Sequence, residues 1–134
     1  MRETSQPIKL LIKSKIWIED DEGNAVFGTG RLRILSAVEE HGSILAAAKA
    51  LGMSYRAVWG KIKVTEDRLG QSLLTTRAGG AHGGGSELTP FGKVLVARFQ
   101  QLEDLTSRAA DALFSGVFAN ALVFKPAGPE ESSN

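Results

Sequence analysis

Two helix-forming segments separated by only three residues restrict the fold of this chain more than any other feature. Ser43 precedes the alanine-rich segment 44–51, and Gly-Met-Ser at 52–54 separates it from a second helical segment. Serine is a preferred N-cap, and glycine favours the left-handed conformation that ends a helix. A turn this short, with a glycine in it and the small Ala48 where the helices would meet, predicts a helix-turn-helix. The alternative is an ordinary helical hairpin, because the turn alone is only moderately specific.

The second segment, about 55–69, separates into two faces when its residues are placed 100° apart. One face is apolar and is expected to pack inward; it consists of Val58, Ile62, Thr65 and Leu69. The opposite face carries Arg56, Gly60, Lys63 and Asp67, with Tyr55 and Trp59 on one shoulder. An apolar face backed by a basic one is typical of a helix that packs on a core and contacts DNA.

Individual roles follow from the positions of these side chains along the helix. Recognition helices contact bases mainly through their N-terminal half, so Arg56 is expected to donate a bidentate hydrogen bond to guanine. Lys61 and Lys63 are better placed to neutralise phosphates, and Gly60 would allow close approach to the groove. Trp59 has a strong alternative, which is packing against a neighbouring element, and for Tyr55 the two roles are equally supported.

A glycine-rich loop follows this helix between two short predicted strands, 73–77 and 86–88. The loop, 78–85, cannot form regular structure, and its position predicts a wing that follows the DNA backbone, with Arg77 at its base. A nucleotide-binding loop is the alternative, but no Gly-Lys-Ser/Thr closes it. Gly28-Thr29-Gly30 resembles a dinucleotide fingerprint, yet Arg33 stands where the third glycine is needed.

The N-terminal part predicts a β-hairpin that precedes the helices. Residues 8–18 are expected to form one strand, 20–24 a turn and 25–27 the returning strand, after which Thr29 would cap the first helix. Lysines interrupt the apolar run 8–18, so it fits neither a signal peptide nor a membrane span. The expected location is therefore the cytoplasm.

Composition and charge narrow the function without deciding it. Cysteine is absent and the net charge is only +1, but segment 43–77 holds six basic residues and two acids. A basic middle is compatible with one DNA-facing surface. His41 and His82 are the two histidines, and no catalytic or metal-binding arrangement is recognisable, so no enzyme activity, cofactor or metal is expected.

The last predicted helix begins at Thr89-Pro90 and is long, about 90–118. Its apolar residues recur at three-, four- and seven-residue spacing and are Phe91, Leu95, Leu102, Leu105, Ala109 and Ala112, with Phe99 and Leu113 beside them. A single small domain cannot cover such a helix throughout, so the stripe predicts a homodimer. The alternative is a helix that folds back on its own hairpin.

Several short motifs together resemble the N-terminal DNA-binding domain of ModE-type molybdenum-responsive regulators and, more distantly, of LysR-type regulators. They are Gly42-Ser43-Ile44, Ala47-Ala48-Lys49, Ser54-Tyr55, Trp59, Gly79-Gly80, Gly83-Gly84-Gly85, Leu88-Thr89 and Gly92. The resemblance covers about residues 29–115 and implies a dimeric winged helix that binds operator DNA, with 54–69 as recognition helix and 79–85 as wing. ModE proteins sense molybdate through C-terminal domains, so a molybdate response here would require a separate molybdate-sensing protein.

The sequence thus predicts an α+β winged helix-turn-helix with an N-terminal β-hairpin and a long C-terminal dimerisation helix. This domain would span 1–125, and 126–134 would be a disordered tail. The expected function is sequence-specific binding of double-stranded DNA by a homodimer; the alternatives are a protein-interaction adaptor and an architectural DNA-binding protein. The residues predicted to bind DNA are Ser54, Tyr55, Arg56, Trp59, Gly60, Lys61, Lys63, Arg77, Gly79, Gly80, His82, Gly83 and Gly84.

Overall fold

A computed structural model describes residues 8–77, 84–119 and 124–126, and these residues form short strands and four helices. In chain order the elements are β1 (Ile8–Leu10), β2 (Trp17–Glu19), β3 (Ala25–Gly28), α1 (Thr29–His41), α2 (Ile44–Leu51), α3 (Tyr55–Leu69), β4 (Leu74–Arg77), β5 (Gly85–Leu88), α4 (Pro90–Phe118) and β6 (Phe124–Pro126). The chain divides into two compact units, 16–100 and 1–15 with 101–134. Each unit is described by itself.

The core of unit 16–100 lies where α1, α2 and α3 meet the strands. Its largest fully buried side chains come from separate parts of the chain and include Phe27 of β3, Leu35 of α1, Val58 of α3 and Leu73, which directly precedes β4. Phe99, at the start of α4, packs edge-on against Phe27 with ring centroids 5.2 Å apart. The apolar face predicted for segment 55–69, which is now α3, is part of this continuous core.

Local hydrogen bonds explain why the helices begin and end at these residues. The Ser43 hydroxyl accepts from the Ala46 N–H at 3.0 Å, and the Ser54 hydroxyl accepts from the Ala57 N–H at 3.1 Å, as N-caps do. Gly42, Gly52 and Gly70 end the three helices in the left-handed conformation. Both serine caps and the helix-turn-helix predicted from sequence are confirmed.

One predicted cap is wrong. Thr29 is the first residue of α1. The N-cap is Gly28, which has no side chain that could accept a capping hydrogen bond. Gly28 also has little room for a side chain, because a Cβ there would lie 3.1 Å from the Trp17 Cβ. Close packing against β2 therefore takes precedence over capping at this helix start.

The predicted hairpin exists but is shorter than expected. β2 pairs with β3 in antiparallel orientation, and the turn is held by Asp20, whose Oδ1 accepts from the N–H groups of Glu22 and Asn24 at 2.9 Å each. Hydrogen bonds from Asn24 lower the pKa of the exposed Asp20 carboxyl. The single strand predicted over 8–18 is wrong, because 11–16 are not in a strand.

In the other unit β1 pairs with β6 in parallel orientation, with Ile8 opposite Phe124. The sequence did not predict this pair, since a three-residue strand has no alternating pattern of its own and obtains its hydrogen bonds from a distant segment. Pro126, which was placed in the tail, ends β6. Residues 127–134 lie outside the described residues.

The wing strands follow the prediction to within one residue: β4 begins at Leu74 and not at 73, and β5 includes Gly85, which was predicted to lie in the loop. β4 and β5 pair in antiparallel orientation, with Leu74 opposite Leu88 and Arg77 opposite Gly85. The pair is fixed to the helices by the Ser86 N–H, which donates to the Gly42 carbonyl at 2.8 Å. A Cβ at Gly85 would lie 2.9 Å from that carbonyl oxygen, so this position requires a glycine.

Helix α4 begins as predicted at Thr89-Pro90. The Thr89 hydroxyl accepts from the Gly92 N–H at 3.0 Å and donates to the Ser72 carbonyl at 2.7 Å, so the cap also joins the helix start to the segment before β4. Among the described residues, α4 included, no helix is long and apolar enough to cross a membrane.

Candidate nucleic-acid interface

Helix α3 is held by its inner face, and this leaves its outer face free. Val58, Ile62 and Thr65 are buried, as predicted. The Thr65 hydroxyl is satisfied within the helix, because it donates to the Lys61 carbonyl at 2.8 Å. The hydroxyl of Thr65 is therefore hydrogen-bonded although it is buried, and among the described residues the inner face of α3 packs on the core without an unsatisfied side-chain polar group.

The outer face of α3 presents cations and aromatic rings to solvent. Arg56 and Lys63 are exposed, and Tyr55 and Trp59 keep 47% and 46% of their surface accessible. Nearly half of the Trp59 surface is thus available to a ligand, and packing against a neighbouring element, the alternative weighed from the sequence, covers at most the other half. Exposed rings beside cations are suited to contact with bases and backbone.

Lys63 is not an isolated charge. Its ammonium lies 5.7 Å from the centre of the Trp59 ring and 3.3 Å from a Glu66 carboxylate oxygen. The ring and the carboxylate hold the ammonium on the helix surface, near the tryptophan. Because Glu66 partly neutralises it, Lys63 is a weaker source of positive potential than Arg56, which has no such ion pair among the described residues.

Glu66 is a residue that the sequence analysis missed. Its second carboxylate oxygen accepts from the Leu73 N–H at 2.7 Å and from the Leu74 N–H at 3.4 Å. One side chain thus joins the last turns of α3 to the beginning of the wing. The signal in the sequence was an acidic residue among basic ones. The sequence analysis used Glu66 only in the count of charges and assigned it no contact.

A cavity of about 230 Å³ brings the start of α2, the start of α3 and the base of the wing together. Ser43 is the N-cap of α2 and Leu45 lies in its first turn, Tyr55 comes from α3, and Arg77 and Gly84 come from the wing. Three of the predicted DNA-binding residues, Tyr55, Arg77 and Gly84, therefore line one concave surface. Ser54 lies at the start of α3, where its hydroxyl is used as the N-cap.

Lys61 does not line the cavity that contains Tyr55 and Arg77. It lines a different cavity together with Arg31 and Arg33 of α1, and on the helix it lies about 160° from Trp59, given 100° per residue. The prediction had grouped Lys61 with Lys63 as phosphate contacts. The structure separates these two lysines onto different sides of α3.

The remaining predicted residues divide between described and undescribed parts of the chain. Apart from its chain neighbours and the backbone of its own helix, no described atom lies within 4 Å of the place where a Cβ of Gly60 would be, so Gly60 leaves open space on α3. Gly79, Gly80, His82 and Gly83 lie outside the described residues. DNA contact by each of the thirteen residues stays a prediction.

The apolar stripe of α4 is divided by the structure. Phe91, Leu95 and Phe99 pack against the core of unit 16–100. Farther along the helix, Leu102 and Leu105 are 45% and 52% exposed, and Leu113 and Val117 are 66% and 67% exposed. Val94 is also exposed, but most of the exposed large apolar side chains of α4 lie after residue 100.

Comparison with known proteins identifies the domain type. Residues 29–93 match the family model described as "Bacterial regulatory helix-turn-helix protein, lysR family". The DNA-binding domain of CbnR, solved in a complex with DNA, superposes with a TM-score of 0.52 and 27% identity, covering 68% of this chain and 99% of that one. Full-length CbnR bound to its target DNA gives a TM-score of 0.52 and 29% identity, covering 67% and 31%. The winged helix-turn-helix fold predicted from sequence is confirmed.

Curated relatives include ModE proteins, in agreement with the resemblance. The molybdenum transport protein ModE of Azotobacter vinelandii is 37% identical over 100 residues, which are 75% of this chain and 37% of that protein. The DNA-binding transcriptional dual regulator ModE of Escherichia coli K12 is 34% identical over 84 residues, 62% of this chain and 32% of that one. The chain thus spans about a third of the length of these relatives.

Proposed function

The chain carries a helix-turn-helix domain of the LysR type, and from that premise we propose that it binds double-stranded DNA and regulates transcription, in the cytoplasm of a bacterium. The observation that carries the proposal is the two-sided α3. Val58, Ile62 and Thr65 hold the helix on the core, while Arg56 and Trp59 remain exposed.

Base recognition is assigned to Arg56. It lies in the first turn of α3, on the face opposite the buried residues, and no ion pair among the described residues occupies its guanidinium. A free guanidinium in this position can donate two parallel hydrogen bonds to the O6 and N7 atoms of guanine in the major groove. Gly60 lies one turn after Arg56 and has no side chain, so the DNA can approach the helix backbone closely at this position.

Contact with the DNA backbone is assigned to the cavity beside α3. Tyr55, Arg77 and the beginning of α2 line it, so a hydroxyl, a guanidinium and helix N–H groups are available to one stretch of phosphates. Such contacts fix the position of α3 on the duplex and carry no sequence information themselves. Lys63 adds a phosphate contact weakened by Glu66.

Homodimerisation through α4 is the second part of the proposal. Leu102, Leu105, Leu113 and Val117 are between 45% and 67% exposed in the single chain, and burial of such surface yields about 25 cal/mol per Å². A two-fold pair of α4 helices would cover it and present two α3 helices to a near-palindromic site. Light scattering at tens of micromolar is expected to give twice the chain mass of 14.3 kDa; a monomer would contradict this part.

A link to molybdenum rests on the names of the relatives alone. The matched stretch is 37% of the length of Azotobacter vinelandii ModE. A separate molybdate-sensing protein, expected from the sequence, is kept as part of the proposal. Addition of molybdate to the purified chain is accordingly expected to leave its DNA affinity unchanged. A shift in affinity would place the response in this chain.

Amide chemical-shift mapping with duplex DNA tests the proposed surface directly. Resonances of 43–45, 55–60 and 84–85 are expected to shift, while those of 102–118 stay in place. A scrambled duplex should shift the backbone-contact segments but fewer amides of α3. If DNA shifted no resonance in α3 while a protein partner did, the adaptor function would replace this proposal.

A further inference from the structure

A second cavity, of about 210 Å³, lies on the other side of α3 from Trp59. Three cationic side chains line it, Arg31 and Arg33 from α1 and Lys61 from α3, and no acidic residue in the described part of the chain does. Ile34, Leu51 and Met53 form its apolar wall. Three like charges around one concave space repel each other unless an anion lies between them.

Arg31 carries a polar atom that the protein does not satisfy. Its Nε is buried and has no hydrogen-bond partner among the described residues. A buried donor left unpaired is costly, and among the described residues the protein supplies no acceptor that offsets the positive groups around Arg31. Burial and the nearby Arg68 lower the pKa of the Arg31 guanidinium, so the surroundings add positive charge rather than compensate it.

The backbone at the rim of the cavity adds N–H groups, which carry partial positive charge like the three cationic side chains. Strand β3 leads through Gly28 directly into α1, whose N-cap makes no side-chain hydrogen bond and whose first turn holds no acid. Gly28 and Gly30 line the cavity, and the space at Gly30 is open. The positive end of α1 therefore faces the same region as the three cations.

We propose that this cavity binds a small free molecule that carries an oxyanion group of the phosphate or carboxylate class. Arg31, Arg33 and Lys61 contact the oxyanion, and Ile34, Leu51 and Met53 contact the uncharged part of the ligand. A DNA phosphate offers the same chemistry, but a concave site with an apolar wall fits a compact ligand better than a continuous backbone. The site is independent of the proposed DNA contacts of Arg56.

Titration without DNA tests the site. Inorganic phosphate and phenyl phosphate are added separately to the labelled protein at constant ionic strength, and the amides of Gly28, Gly30 and Arg31 are followed. We expect saturable shifts, with tighter binding of phenyl phosphate because its ring meets the apolar wall. Arg33→Gln should weaken binding about tenfold or more, since it removes a charged hydrogen bond.

The control is Lys93→Gln, which removes the same charge from an exposed position on α4 outside the cavity. This variant should bind phenyl phosphate as the parent does. Arg33 is itself exposed, so its substitution should leave the melting temperature unchanged and make lost binding interpretable.

Two results would overturn the proposal. Shifts that do not saturate, or that are equal in the parent and Arg33→Gln, would show non-specific screening of charge. If a DNA duplex shifted the Gly28 and Gly30 amides in an Arg33-dependent way while phenyl phosphate did not, the oxyanion would be a backbone phosphate and no free ligand would be involved.

Discussion

Helices α3 and α4 both pack an apolar face on the core, but their exposed faces differ in chemistry. Each buries one face, through Val58 and Ile62 in α3 and through Val96 and Phe99 at the start of α4. The exposed face of α3 carries cations and aromatic rings, whereas the later part of α4 exposes leucine and valine. The buried faces determine the fold, and the exposed faces indicate which partners the protein binds.

The chemistry of the two exposed faces calls for different partners. A guanidinium in water is well solvated and becomes useful when an anion or a base edge replaces the water. Exposed leucine in water is unfavourable, at about 25 cal/mol per Å² of apolar surface. DNA is therefore the partner that we assign to α3, and a second copy of the chain is the partner that we assign to α4.

The largest effect is expected from introducing charge into the apolar face of α4. Leu102→Glu combined with Leu105→Glu should make the protein monomeric, because two carboxylates per chain would be buried in the pair. Operator affinity should then fall by about a hundredfold or more, since each α3 binds alone. Gln100→Glu, which adds one charge at an exposed position about 160° away on the helix, is the control for light scattering and binding. A double variant that still binds DNA as a dimer would assign the stripe to another role.

Removing the base-reading side chain should have the next largest effect. Arg56→Ala is expected to weaken specific binding by about 1–3 kcal/mol, roughly ten- to a hundredfold, and to relax the preference at one base pair. The exposed Arg108 on α4, which pairs with Asp104 at 2.9 Å, provides the matched control Arg108→Ala. Equal losses in the two variants would mean that charge alone, and not the position on α3, decides binding.

A stability measurement distinguishes anchoring of α3 from DNA contact. Glu66→Ala removes the acceptor of the Leu73 and Leu74 N–H groups, so the free energy of unfolding should fall by about 2 kcal/mol. DNA affinity measured well below the melting temperature should change only a few-fold. Unchanged stability in denaturant titration would show that the link between α3 and the wing is dispensable.

The smallest effect is expected at Lys63. Lys63→Ala should weaken binding to all duplexes alike and reduce the slope of log K against log salt by about 1, as the loss of one phosphate contact does. The effect on affinity should be smaller than that of Arg56→Ala, because Glu66 already compensates part of the charge. A sequence-dependent loss would instead make Lys63 a base-reading residue.

The parts of the fold that could be predicted from sequence are those determined by local chemistry. Serine caps, left-handed glycines and the apolar face of α3 depend on residues three or four positions apart, and the structure contains them. The pair β1–β6 joins segments more than a hundred residues apart, and nothing in either segment indicates the other. Prediction therefore failed where tertiary contacts alone determine the structure.

The candidate site shows the same division. Helical spacing correctly gave the outward positions of Arg56 and Lys63, because 100° per residue is a property of the helix itself. It could not show that Lys61 meets Arg31 and Arg33 of another helix, or that Glu66 reaches the wing. Sequence thus predicts the face of a residue, and only the packed structure gives its neighbours.

Selection of genomic fragments by the purified protein, at about 50 and 200 mM salt, tests the central claim most directly. The account predicts one enriched motif with two half-sites centred about one helical turn, or a multiple of it, apart. The motif should remain enriched at the higher salt while total binding falls steeply, because base contacts persist as phosphate contacts weaken. Fragments retained at low salt without a common motif, and none retained at high salt, would contradict it.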